Sequence, residues 1–231
     1  MRQIMLDTET TGLDYRLGHR VIEIGCLELV GRKATGQRFH CYLNPEREID
    51  PGAAAVHGIS DEFLADKPKF ADLAGEFAEF IRGAELVIHN APFDVGFLNH
   101  ELGLAGREPL DALCAGIVDT LKMAREIRPG RRNSLDALCQ EYAVDNSGRQ
   151  LHGALLDAEL LAEVYLAMTR GQESLIIELD EPAVAAALPP GGERQLLRVL
   201  RADAVELAEH QQVLAEIARE SGQAASLWSA D

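Results

Sequence analysis

Apolar positions recur along the chain first at a period near two and later at a period near 3.6. Gln3 to Leu6 is a short apolar run ending on Asp7, which predicts a strand that delivers an acid to a site. After a turn expected at Thr10, Thr11 and Gly12, apolar residues alternate imperfectly through Arg20 to Leu29, and a third strand is predicted from Arg38 to Leu43. Gly31, Lys33 and Gly36 suit a hairpin connection, so the domain should open with three antiparallel strands.

Beyond Pro45 the pattern turns helical, with Phe70, Leu73, Phe77, Phe80 and Ile81 at helical spacing. Leu86 to Ile88 reads as a compact buried strand running into His89-Asn90-Ala91-Pro92, where Pro92 fits the first turn of a helix because its missing N–H costs nothing there. Phe93, Phe97, Leu98 and Leu102 supply that helix with a core face. Ile117 and Val118 suggest one more short strand, and helices are expected over Ser134 to Tyr142 and Gly153 to Met168. Strands followed by strands alternating with helices imply an α/β fold, a mixed five-stranded sheet flanked by helices.

The catalytic unit is expected to occupy residues 1–170. Residues 171–192, with Pro182, Pro189, Pro190, Gly191 and Gly192, read as a flexible linker. Residues 193–231 form a tail with a helix candidate from Glu193 to Glu220. Its Leu196, Leu200, Leu207, Leu214 and Ile217 lie on roughly one side without a core of their own, so the helix wants a partner.

Composition narrows the picture. The 231 residues with 47 % hydrophobic content suffice for one ordinary domain and something more. Cys26, Cys41, Cys114 and Cys139 lie far apart without a CxxC pair, which indicates reduced thiols rather than a zinc knuckle or a disulfide framework. The run before Asp7 leaves no room for a signal peptide, no stretch is apolar for long enough to span a membrane, and the expected location is cytoplasmic. A net charge of −16 argues against a protein that grips long nucleic acid by its backbone. A carboxylate site that recruits Mg²⁺ is itself negative, however, and tight association with DNA can come through a partner.

Candidate chemistry gathers on five residues. Asp7 and Glu9, two apart on a strand, project from one sheet face and repel unless a cation lies between them. A DxE alone is common and can merely flank a turn. Asp94 falls in the first turn of the helix beginning near Pro92, where it either complements the helix N-terminus or carries a carboxylate to a strand end. Asn90 is read first as that helix's cap. His152 and Asp157 would lie about 140° apart if both were on one helix. If Gly153 begins the helix, His152 is instead in the preceding loop and both can reach one site. Hard oxygen ligands without cysteine select Mg²⁺ or Mn²⁺, and two such ions stabilise in-line displacement at phosphorus. An ordinary histidine titrates near pH ~6.5, so neutral His152 can take a proton from water.

The motifs DTETTG (Asp7 to Gly12), HRVIEIG (His19 to Gly25), VHGI (Val56 to Ile59), HNAPFDVGFL (His89 to Leu98) and HGALLDAELLAEVYLAM (His152 to Met168) follow one another in family order. At these residues the sequence resembles the DnaQ-like exonucleases of the DEDDh class, and within it the proofreading subunits of bacterial DNA polymerase III. The resemblance implies a ribonuclease-H-like fold that cuts single-stranded or frayed 3′ DNA ends and releases nucleoside 5′-monophosphates. It implies that Asp7 bridges two Mg²⁺ or Mn²⁺ ions, that Glu9 and Asp157 complete the first site, that Asp94 supports the second, and that His152 is the base. It also implies that Thr10, Thr11 and Gly12 meet the terminal nucleotide, with His57 near the pocket rim. Asn90 is a further candidate for that pocket.

Two likenesses concern partners. Gln172 to Ile177 is similar to a short sliding-clamp-binding peptide, with Gln172, Leu175 and Ile177 as its anchors. The tail through Leu227 and Trp228 is similar in layout to a segment that binds the alpha subunit of DNA polymerase III. An exonuclease that trims RNA or short oligonucleotides by the same chemistry, and a non-catalytic adaptor, are the competing functions.

Overall fold

The first strand, β1 (Arg2–Thr10), is the centre of a five-stranded sheet ordered β3-β2-β1-β4-β5. It pairs antiparallel with β2 (Val21–Val30), which pairs antiparallel with β3 (Lys33–Tyr42). On its other side it runs parallel to β4 (Glu85–Ile88), and β4 runs parallel to β5 (Gly116–Asp119). The β2–β3 turn is Gly31-Arg32 with both φ values positive, 56° and 64°, the form whose twist suits a two-residue hairpin. Lys33 and Gly36, expected in that connection, belong to β3, which starts five residues before the predicted Arg38.

Parallel neighbours need crossovers. α1 (Pro51–His57), α2 (Asp61–Leu64) and α3 (Phe70–Ile81) carry the chain from β3 to β4; α4 (Ala91–Leu104) and α5 (Leu110–Leu113) carry it from β4 to β5. α6 (Thr120–Ile127), α7 (Leu135–Tyr142) and α8 (Ala154–Met168) follow. The mixed five-stranded sheet with helices against it is the expected architecture.

Alternation along β1 sorts the core into two layers. Ile4 and Leu6 pack with Phe77 and Ile81 of α3 and with Phe97 and Leu102 of α4. Met5 points the other way, into a cluster with Leu138 of α7 and Leu161 and Val164 of α8. Because both faces are covered, β1 reads as a continuous apolar run. Arg20 fixes the start of β2 to α4 through two 2.7 Å bonds from its guanidinium to Glu101, which is 1 % exposed.

The computed structural model describes residues 1–149, 151–170 and 202–221, and the chain divides into two units, Met1–Ile176 and Ile177–Asp231. In the second unit α9 (Ala204–Ser221) is described, and four of its large apolar side chains, Val205, Leu207, Val213 and Ile217, are at least half exposed, while Leu214 is partly buried. Gln172, Leu175, Ile177, Leu227 and Trp228, the expected linker and the part of the tail helix before residue 202 lie outside the described residues. All four cysteines are free thiols. Among the described residues no helix is long and apolar enough to cross a membrane.

Candidate active site

β1 extends through Thr10, so Asp7 and Glu9 lie within the strand rather than beyond its end. Their location follows from an asymmetry in pairing. On the β2 side the ladder continues past both acids, whereas pairing with β4 stops at Leu6 opposite Ile88. The two side chains, on the Met5 face, therefore project where the parallel half of the sheet has ended, the usual place for a site in such sheets.

Asp94 arrives from the first turn of α4. β4 ends at Ile88, and the chain turns sharply through Asn90, whose left-handed φ of 67° is uncommon for a non-glycine residue. Asn90 occupies the cap position, but its side chain makes no capping bond, contrary to expectation. Its left-handed backbone aims the side chain elsewhere, and its N–H donates to Asp119 Oδ1 at 3.2 Å. Asp94 Oδ1 instead accepts from the Thr8 hydroxyl at 2.7 Å and the Thr8 N–H at 3.1 Å, bonds that orient the carboxylate.

Asp157 comes from the first turn of α8, and Gly153 is the extended residue before that helix. His152 therefore stands outside the helix, with its N–H bonded to the Val56 carbonyl at 3.2 Å. α8 approaches the sheet closely because Gly25 lies opposite Asp7 in the β1–β2 ladder. A Cβ at position 25 would sit 2.2 Å from the Ala154 carbonyl carbon and from the Leu155 nitrogen.

Asp7, Glu9, Asp94, His152 and Asp157 line one cavity of about 860 Å³, together with Asn90, Phe93, Arg125, Arg131 and Arg149. An adjoining cavity of about 580 Å³ shares Thr8, Glu9, Leu13 and Phe93 and is also lined by Thr10, Gly12 and His57. Thr11 belongs to neither. It is fully buried, and its hydroxyl pairs with His19 Nδ1 at 3.1 Å and accepts from the Arg20 N–H at 3.0 Å. The Thr10 hydroxyl donates to the Gly12 carbonyl at 2.7 Å and is likewise committed. Gly12 is required by the His19 ring, which a Cβ would meet at 2.3 Å. His57 Nδ1 accepts from the Ile59 N–H at 3.0 Å, which leaves the proton on Nε2, a buried atom with no hydrogen-bond partner among the described residues.

Crowded carboxylates raise one another's pKa. Burial, and then the charges of Asp94, Asp157 and Glu9, hold Asp7 well above the ordinary carboxylate range. Burial, followed by Asp157, Glu23 and Asp94, pushes Glu9 up to about 8. Burial raises Asp94 to about 7 against the opposing bonds from Thr8. Groups whose folded pKa is raised add stability while protonated and lose it as pH rises through the folded value. In chelator the melting temperature should therefore fall between about pH 6 and pH 8.5, and Glu9→Gln should flatten the fall. A melting temperature that climbs over that interval contradicts this electrostatic account.

The same crowding identifies what the site can hold. One ligand atom each from Glu9, His152 and Asp157 lies within 4.8 Å of the others, and the neighbouring donors are carboxylates. Hard oxygens with one imidazole suit a divalent cation, whose charge would relieve the repulsion that raises these pKa values. A positive group, the Arg149 guanidinium, already lies on Asp157. Leu13, 87 % exposed at the junction of the cavities, and Arg125, Arg131 and Arg149 were not expected from sequence. An exposed leucine directly after Gly12 and the basic run Arg125, Arg128, Arg131, Arg132 were the available signals.

Comparison with known proteins gives a consistent picture. The family model described as exonuclease (RNase T) matches residues 4–165. The DNA polymerase III subunit epsilon of Escherichia coli strain K12 is 49 % identical, with 99 % of this chain and 98 % of that protein covered. The protein of the same name from Rickettsia typhi is 57 % identical over 79 % of this chain and 80 % of its own length. Among solved structures, exonuclease X in complex with 5′ overhanging duplex DNA has a TM-score of 0.58 at 26 % identity, covering 74 % of this chain and 92 % of that one. The Escherichia coli ExoI–ssDNA complex has a TM-score of 0.66 over 74 % of this chain and 41 % of that one; at 17 % identity it shows the shared fold alone. Exonucleases of this kind depend on divalent metal. The carboxylate cluster thus stands on a known scaffold, and the chain belongs to the RNase T/DnaQ-like exonuclease family.

Proposed function

We propose that this chain is a 3′→5′ exonuclease that proofreads DNA synthesis by hydrolysing the terminal phosphodiester of single-stranded or frayed 3′ ends, releasing nucleoside 5′-monophosphates. The observation that carries this reading is the meeting of Asp7, Glu9, Asp94, Asp157 and His152 in one cavity from three separate elements and a loop. The four carboxylates would hold two Mg²⁺ or Mn²⁺ ions, which supply positive charge for the attacking and leaving oxygens.

The protein's own groups complete the reaction. Thr8 holds Asp94 in a fixed orientation through its two bonds. His152, with 43 % of its side chain exposed at the cavity wall, takes the proton of the attacking water at a ring nitrogen, and the departing 3′ oxygen recovers a proton from solvent. Phe93, packed at a tilt against Phe97 with ring centroids 4.9 Å apart, offers a fixed aromatic surface at the junction of the cavities. Leu13 is an apolar wedge beside it, and stacking on such groups accepts any base. Arg125 and Arg131 at the cavity edge pair with phosphates. Thr10, Gly12, His57 and Asn90 shape the terminal-nucleotide pocket.

The 49 % identity to an epsilon subunit extends over 99 % of the chain and so supports a shared role for the segments after residue 170. In this reading residues 171–192 are a linker whose Gln172, Leu175 and Ile177 touch the sliding clamp. Residues 193–231 bind the polymerase alpha subunit through Leu227 and Trp228, and the protein works in the cytoplasm. The exposed apolar residues of α9 are consistent with a surface that gains its burial from a partner.

One set of assays tests this. The purified chain should shorten a mismatched DNA 3′ end in Mg²⁺ and stop in chelator, and His152→Ala should slow the reaction by roughly 10²- to 10⁴-fold. Matched DNA and RNA strands should differ in favour of DNA; a strong preference for RNA would reassign the enzyme to RNA trimming. The polymerase alpha subunit should co-purify with the full chain and not with one ending at residue 192.

A further inference from the structure

Arg149 is the strongest feature that the catalytic account leaves unused. Its side chain is only 6 % exposed, and four of its five N–H groups have partners. Nε donates to Asp157 Oδ1 at 2.5 Å, and Nη2 donates both to Asp157 Oδ2 and, at 2.8 Å, to His152 Nδ1. Nη1 donates to Asp136 at the start of α7, a carboxylate 53 % exposed that also lines the cavity. One guanidinium thus covers both oxygens of a carboxylate in the catalytic cavity and fills the lone pair of the histidine beside it.

Two consequences follow from donor chemistry. A guanidinium can only donate, so Nδ1 of His152 is the acceptor and, in the neutral ring, the proton is on Nε2. While that bond stands, the imidazole has no free lone pair with which to take a proton from water. The positive charge on Asp157 also opposes any second cation bound to that carboxylate. The side chain has somewhere to go, because Asp136, a half-exposed carboxylate elsewhere on the cavity wall, already holds Nη1.

We infer that Arg149 is a positioning residue that serves as an internal cation. In the metal-free protein it neutralises Asp157 and ties up His152; when divalent metal enters it withdraws onto Asp136, and ligand and base are released together. This inference rests on the proposed metal site. It explains how a buried acidic cluster remains folded before metal binds and why the base is idle until then. Linkage makes it quantitative, because whatever factor Arg149 contributes to holding Asp157 is the factor by which it weakens metal binding.

The test measures Mn²⁺ binding to the full chain without DNA, from the loss of the free-ion paramagnetic resonance signal, alongside melting in chelator. Arg149→Met removes the charge but keeps the stem. It should bind Mn²⁺ about tenfold more tightly than the natural chain, with a lower melting temperature in chelator. Asp136→Asn, at a half-exposed position tolerant of change, removes the retreat and should weaken Mn²⁺ binding several-fold. Charge alone predicts those opposite signs, so the double variant discriminates: in the Arg149→Met background Asp136→Asn should leave Mn²⁺ binding unchanged, because no guanidinium remains to be received, and the same several-fold loss in both backgrounds overturns the retreat. Unchanged or weaker binding in Arg149→Met, or tighter or unchanged binding in Asp136→Asn, overturns it; should Arg149→Met not fold, the Asp136→Asn result alone can still overturn it. Absence of Mn²⁺ binding by the natural chain would instead defeat the metal site itself, and this inference with it.

Discussion

Asp7→Asn should lower the excision rate by at least about 10³-fold while leaving the metal-free protein as stable as before or more so. The two effects have one cause. Asp7 sits where Glu9, Asp94 and Asp157 converge, and burial together with their charges resists its ionisation. Asparagine keeps the shape and removes the charge, so in chelator a repulsive group disappears. In the proposed metal site the same substitution would remove an anionic ligand central to the cluster. Single-turnover excision and melting curves with and without Mg²⁺ measure both effects. The thermal gain on adding metal should shrink along with the rate. A variant that retained most of its activity would remove Asp7 from the metal site, and one that melted far lower in chelator would contradict the repulsion.

The second large effect is expected at a residue with no reactive group. Gly25→Ala introduces a methyl group 2.2 Å from the backbone of Ala154 and Leu155, and backbone in a helix's first turn cannot step aside as a flexible side chain can. Either β2 or the start of α8 must move. Overpacking of this kind costs about 1–3 kcal/mol. Catalysis should suffer more, because the displaced turn carries Asp157 and a misplacement of about 1 Å costs on the order of 10²-fold. A rate loss of that size, with a rise in the Mn²⁺ concentration needed for half-maximal activity, is the expected result. Normal metal dependence with only a lower melting temperature would show that Gly25 serves packing alone.

The legibility of the site differed between its parts for physical reasons. Asp7 and Glu9 could be put on one face because the side-chain period of a strand is two, and His152 could be separated from Asp157 because positions five apart diverge around a helix. Ser134 was readable as the opening of a helix, and it caps α7 by accepting from the Ala137 N–H. Asn90 misled, since the residue type favoured at a cap is also one that tolerates the left-handed region, and the sharp exit from β4 required the latter. The bonds of the buried Thr11 hydroxyl to His19 and the Arg20 N–H were not legible, because these partners come from eight and nine residues away.

By itself the sequence determined the order and type of the main elements, the hard-ligand character of the candidate site, and the family to which its motifs point. These depend on residue type and short spacing, which the pattern of apolar and polar positions records directly. Tertiary structure alone decided that Gly25 admits α8 to the sheet, that Thr8 orients Asp94, that Arg149 occupies Asp157 and His152, and that Asp94, Asp157 and Glu9 lie close enough to a buried Asp7 to resist its ionisation. The physical reason is that electrostatic repulsion and steric exclusion act through distance in space. Asp7 and Asp157 are 150 positions apart along the chain, and their interaction exists only because the two core layers bring α8 against β1.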